Sequence, residues 1–148
     1  MMKNLRSIMS VLLALWIVGV MPISARPRAK RVVMIALDGI SVPGFTTAHT
    51  PNLDNLLAQG ALSLTTRVVM PSVTLPNWTS HLTGSGPEQH GVVDNGWQID
   101  KKGFPAVEID KEGYYPSVFK VMKEEIPECK TAFYYNWINL FYPYNKMK

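Results

Sequence analysis

The chain has 148 residues, a length that suits one modest domain. Apolar residues make up 47% of it and charged residues 18%, which excludes global disorder and points to a packed core. The net charge is +4; without Lys3 and Arg6 at the extreme N-terminus, the 15 basic residues fall to 13 against 11 acidic ones, a net +2. The remaining Lys and Arg are scattered apart from one cluster at Arg26 to Arg31, with no interleaved basic and aromatic face, so charge gives no case for a nucleic-acid-binding surface.

The first residues differ from the rest. Lys3 and Arg6 precede an uncharged apolar run, Ser7 to Met21, and small residues follow at Ser24 and Ala25. This pattern predicts a signal peptide over residues 1–25, cleaved after Ala25. The run is short for a membrane span, which takes about 20 apolar residues. The alternative is an uncleaved anchor, so the membrane enters only through this segment. The single cysteine, Cys129, allows no internal disulfide and reads as a bystander thiol. An exported chain with one thiol suits a bacterial periplasm.

Arg31 to Leu37, RVVMIAL, reads as a strand buried on both faces, ending at Asp38-Gly39. Thr50 suits an N-cap and Pro51 a first helical position, Leu53, Leu56 and Leu57 share a face, and Gly60 marks the stop. Ala61 to Met70 is the next strand, completing a strand-helix-strand unit with a right-handed crossover. TLPNWTSHLTG predicts a helix entered through Pro76 and left at Gly84. Residues 84–97 are loop-rich, and residues 98–115 form a surface hairpin or irregular insert. An amphipathic helix follows, with Val118, Phe119, Val121 and Met122 toward the core, and Thr131 to Phe141 reads as a further strand.

In an open α/β sheet, ligands collect at the carboxyl ends of strands. Asp38 stands at such an end, either as a turn-former before Gly39 or as a metal ligand. Thr74 follows the second strand and opens a helix, where free N–H groups and the helix dipole favour an anion. It either caps that helix or attacks a phosphorus bound there, with a metal ion lowering its pKa. Asn77 can offer its amide to a phosphoryl oxygen; it also begins the sequon Asn77-Trp78-Thr79, whose glycan would crowd a helix start. His81 and His90 read as ordinary polar residues rather than ligands.

Together VVMIALDGI, HTPNLDNLLAQG and PSVTLPNWTSHLTGSGPEQHGVVDN, in this order and spacing, resemble the N-terminal motifs of the type I phosphodiesterase/nucleotide pyrophosphatase family of the alkaline phosphatase superfamily. The resemblance covers about Val32 to Trp97, with a weaker tail to Trp137. It implies an α/β/α sandwich around a mostly parallel sheet, and hydrolysis of a phosphodiester or pyrophosphate bond in a nucleotide-type small molecule. It also implies two divalent metal ions, zinc in this family; such a pair, about 4 Å apart, would steady the attacking and leaving oxygens. By the same resemblance Asp38 is a metal ligand. Thr74 is the nucleophile, touches a metal and forms a phospho-threonine intermediate. Asn77 contacts the phosphoryl group.

After Trp97 the chain has no histidine, and Asp100 and Asp110 are its only aspartates there. The family's remaining Asp and His ligands come after the nucleophile segment. Residues 26–148 are therefore expected to be the N-terminal portion of the catalytic domain, with an incomplete sheet. Among rivals, a haloacid-dehalogenase phosphatase has Ala36 where its nucleophilic aspartate belongs. A sulfatase has Trp78 where its arginine belongs, and a cofactor-independent phosphomutase lacks an export signal. A phosphomonoesterase of the same superfamily and a catalytically inactive exported fragment stay open.

Overall fold

A computed structural model describes residues 30–101 and 103–144. The expected signal peptide at residues 1–25 lies outside the described residues. The chain divides into two units, one ending at Leu37 and one beginning at Asp38. Among the described residues every regular element is helical: α1 (Val42–Thr47), α2 (Pro51–Leu57), α3 (Thr74–Thr83), α4 (Pro87–His90), α5 (Val118–Glu125) and a 3-10 helix (Ile138–Phe141). None of these is long and apolar enough to cross a membrane.

The expected strands are the main correction. Residues 31–37 carry no ladder, and Val32, Val33 and Ile35 are at least 80% exposed instead of buried on both faces. Residues 61–70 contain no strand either, and Leu62, Val68 and Met70 are exposed. Thr131 to Phe141 runs without a ladder and then turns into the 3-10 helix. The physical reason is that a parallel strand is stabilised by neighbours on its edges and layers on its faces. The described residues form no such ladder, so a β-branched, apolar sequence alone leaves these segments open. The strand-helix-strand unit is therefore represented by its helix, α2.

The helices follow the sequence more closely. Ser41 caps α1, its Oγ accepting from Gly44 N at 3.1 Å. Thr50 and Pro51 open α2 as expected, although Thr50 Oγ1 donates to Asp54 Oδ1 at 3.3 Å rather than capping a backbone amide. α3 starts at Thr74, two residues before Pro76, and leaves through Gly84 at φ +69°, a left-handed cap suited to glycine. On α5, Phe119 and Met122 are half-buried while Val118 and Val121 face solvent, so half of the expected apolar face is in use. Phe119 packs on Phe133 and Tyr144, with ring centroids 5.5 and 6.4 Å away. Residues 98–101 and 103–115 take the irregular form of the two expected, with a tight turn in which Asp110 N donates to Tyr114 O at 2.7 Å.

The core of the second unit gathers around α3. Leu75, Val92 and Trp97 are buried together, with Ile99, Trp137, Leu140 and Tyr142 packed against them. A fully buried side chain such as Leu75 contributes on the order of 1.5–3 kcal/mol by leaving water. The α4 exit is fixed by Gly91, whose φ is +74° and whose missing Cβ would stand 2.6 Å from the Phe104 carbonyl. Only glycine lets the 104–106 backbone approach this closely.

Candidate active site

α3 is built to hold its first turn still. Val73 N donates to Pro71 O at 2.8 Å, turning the chain into the helix, and Asn77 N closes on Val73 O at 3.3 Å. Thr79 and Thr83 spend their hydroxyls on the carbonyls four residues back, at 2.7 and 2.8 Å. Thr74 occupies the first helical position and has no preceding helical turn to bond. Its half-buried hydroxyl makes no hydrogen bond to another described residue.

The free amides at this helix start are fewer than the sequence suggests. Leu75 N donates to Asn95 Oδ1 at 2.8 Å, Pro76 has no N–H, and Asn77 N is used within the turn. Among the described residues this leaves the Thr74 amide beside the Thr74 hydroxyl as the open donor at the positive end of the dipole. Asn95 is presented by a turn in which Asp94 Oδ1 accepts from Gly96 N at 2.7 Å. Because Leu75 N–H can only donate, the facing atom of Asn95 must be its oxygen. That assignment sets Asn95 Nδ2 as a further donor at the helix start, with no bond to another described residue.

Asn77 stands differently from the expectation. Its Oδ1 accepts from Val69 N at 3.0 Å, and its Nδ2 donates to Val73 O at 2.8 Å and to Pro71 O at 3.3 Å. Its amide braces the segment leading to Thr74 and is spent on backbone. Asn95 is the residue that sequence reasoning missed. The Asx turn at Asp94-Asn95-Gly96 was a local signal for a fixed side chain, but its pairing with Leu75 crosses 20 residues.

Asp38 is exposed. Its Oδ1 accepts from Gly39 N at 2.7 Å, and its Oδ2 accepts from the indole Nε1 of Trp78 at 3.4 Å. Trp78 lies one helical turn beyond Thr74, a rise of about 6 Å. Asp38 thus sits against the helix that begins with Thr74. His81 is exposed on the next turn, its Nδ1 2.8 Å from Asn77 O and its ring 5.2 Å from that of Trp78.

His90 is a core residue, 2% exposed. Its Nδ1 accepts from Val92 N at 3.1 Å, so the neutral ring carries its proton on Nε2 and donates to Ser80 Oγ at 3.0 Å. Burial lowers its pKa to about 4, with the Glu88 carboxylate pulling the other way. A cavity just wide enough for one water lies beside it, lined by Thr79, Trp97 and Tyr115 among others.

Toward a metal the site offers one carboxylate, Asp38, and one hydroxyl, Thr74. No group of three His, Cys, Asp or Glu side chains able to hold a metal occurs among the described residues. A catalytic zinc takes about three protein ligands. The described residues by themselves therefore do not fit a two-ion centre.

The arrangement places a hydroxyl and amide donors at one helix start, a set that suits an anionic group such as a phosphoryl. The family model described as type I phosphodiesterase / nucleotide pyrophosphatase matches residues 32–145. The chain belongs to that family. It is 35% identical over 66 residues to ectonucleotide pyrophosphatase/phosphodiesterase family member 3 of Mus musculus, covering 43% of this chain and 8% of the relative. It is 30% identical over 83 residues to bis(5'-adenosyl)-triphosphatase enpp4 of Mus musculus, covering 55% and 18%. It is 23% identical over 148 residues to venom phosphodiesterase of Macrovipera lebetinus, covering 74% and 17%. The matched part thus spans less than a fifth of each of these relatives. No solved structure matches the chain.

Proposed function

We propose that this chain carries the nucleophile half of a phosphodiester or pyrophosphate hydrolase site, with Thr74 as the nucleophile. The observation that supports this best is the unspent Thr74 hydroxyl, set beside its own amide at the start of α3. In the proposed step the Thr74 Oγ1–phosphorus bond forms as the bond from phosphorus to the leaving oxygen breaks. The leaving oxygen departs with the electron pair, the hydroxyl proton passes to solvent, and water later cleaves the phospho-threonine ester. The Thr74 amide and the Asn95 Nδ2 group would donate to phosphoryl oxygens as charge builds there. Asn95 takes the role expected of Asn77, whose amide is engaged with Val69, Val73 and Pro71.

The family is metal-dependent, and Asp38 is our proposed carboxylate ligand to a divalent ion, zinc by resemblance. Thr74 is its proposed second contact, and no group of three His, Cys, Asp or Glu side chains among the described residues completes the site. The relatives' names support a nucleotide-type substrate, and the words ecto- and venom in those names, with the N-terminal apolar run, support export.

The test is 4-nitrophenolate release from bis(4-nitrophenyl) phosphate with zinc present. Release that Thr74→Ala lowers at least about a hundredfold supports the reading. A second reading, phosphoryl binding without turnover, draws on the same donors, the Thr74 amide and Asn95 Nδ2 beside the helix start. Phosphate-dependent shifts at the Thr74 amide, with no release at any zinc level, would decide for it.

A further inference from the structure

We infer that Asn139 is a positioning residue for the proposed phosphoryl site, acting through Asn95. Asn139 Nδ2 donates to the backbone carbonyl of Asn95 at 2.7 Å, across 44 residues of sequence. A carbonyl can only accept, so the Asn139 side chain must present its nitrogen. Asn95 in turn holds Leu75 N through its Oδ1. The result is a two-bond relay from the 3-10 helix to the first turn of α3. Both bonds are partly buried, where a lost partner costs more than it does in water.

The local fold explains why Asn139 can do this. The next residue, Leu140, packs on the Leu75, Val92 and Trp97 core, as does Trp137 two residues earlier. Leu140 N closes on Trp137 O at 3.1 Å, which pins the short helix. Asn139 then projects from an anchored element toward the 94–96 turn. That turn has its own Asp94 to Gly96 bond, and its tie to α3 is the Asn95 side chain's bond to Leu75 N. The Asn139 bond adds a backbone anchor from the 3-10 helix, and so aims the Asn95 amide that faces the helix start.

The inference rests on the phosphoryl site proposed above, and the test separates the two. Asn139→Asp keeps the side chain's size but cannot donate to the Asn95 carbonyl; Asn139→Ala removes the contact without adding charge. Three readouts apply to the whole chain: exchange of the Leu75 amide, exchange of core amides such as Val92, and inorganic phosphate binding followed at the Thr74 amide. Positioning predicts Leu75 exchange faster by roughly fivefold or more in both variants, phosphate affinity weaker by about fivefold, and Val92 exchange unchanged. Asn139→His, which can donate, is expected to recover part of the affinity. Leu75 exchange at the wild-type rate in both variants overturns the inference while leaving the phosphoryl site standing. Leu75 and Val92 exchange rising together shows a merely structural role and also overturns it. Wild-type protein that gives no phosphate-dependent shift overturns the phosphoryl site, and this role of Asn139 with it.

Discussion

Residues 74–97 and residues 61–70 both carry large apolar side chains, yet these end in opposite environments. The first stretch buries Leu75, Leu82, Val92 and Trp97 and ties α3 down with bonds from Asn77, Thr79, Thr83 and Asn95. The second leaves Leu62, Leu64, Val68 and Met70 exposed, with Thr66 making its side-chain bond to Ser63. The difference is one of partners. A helix satisfies its backbone locally and needs only one covered face, whereas a strand needs a neighbouring chain for every amide it exposes. Among the described residues the segment that begins with Thr74 is therefore organised without a sheet, and the strand-like segment is not.

The largest expected effect comes from the centre of the organised region. Leu75→Ala should cost about 3–5 kcal/mol, because Leu75 is fully buried and α3 cannot collapse around the gap. Urea unfolding followed by tryptophan fluorescence would measure it, and a cost under about 1 kcal/mol would mean that α3 is not the core element. Gly91→Ala should lose about 2–3 kcal/mol, from a positive φ and a methyl placed against the Phe104 carbonyl. The same titration checks it.

His90 gives a pH signature. Between pH 6.5 and about 4 the unfolded chain takes up a proton that the folded chain refuses. Its contribution is complete above pH 6.5 and lost as pH falls to about 4, by up to about 3 kcal/mol. Unfolding midpoints from pH 7 to pH 4 should fall, and His90→Gln should flatten that slope. At the small end, Leu62→Ser with Val68→Thr should change stability by under about 0.5 kcal/mol each. The pair should also reduce self-association, read by light scattering, because it breaks an exposed apolar stretch. A large loss of stability would show that residues 61–70 are packed after all.

The sequence made some of this legible and hid the rest for identifiable reasons. Thr50-Pro51 and Gly84 are local signals, and they marked real helix ends. The motif order pointed to the family that residues 32–145 match. Asn95 and Asn139 were invisible, because their bonds span 20 and 44 residues and carry no periodicity. Asn77 was assigned by resemblance to the substrate, and its three backbone bonds emerge only when Val69 and Pro71 are folded around it. The strands at residues 31–37, 61–70 and 131–141 were inferred from apolar and β-branched composition, which reports what a strand would bury but not whether a ladder partner is present.

The most direct measurement is acid-quenched mass spectrometry of the peptide bearing Thr74 after reaction with bis(4-nitrophenyl) phosphate and zinc. An aryl phosphoryl ester on the Thr74 hydroxyl, absent in Thr74→Ala, is the predicted result. Hydrolysis that proceeds at an undiminished rate in Thr74→Ala, or an adduct on a different side chain, would contradict Thr74 as the nucleophile.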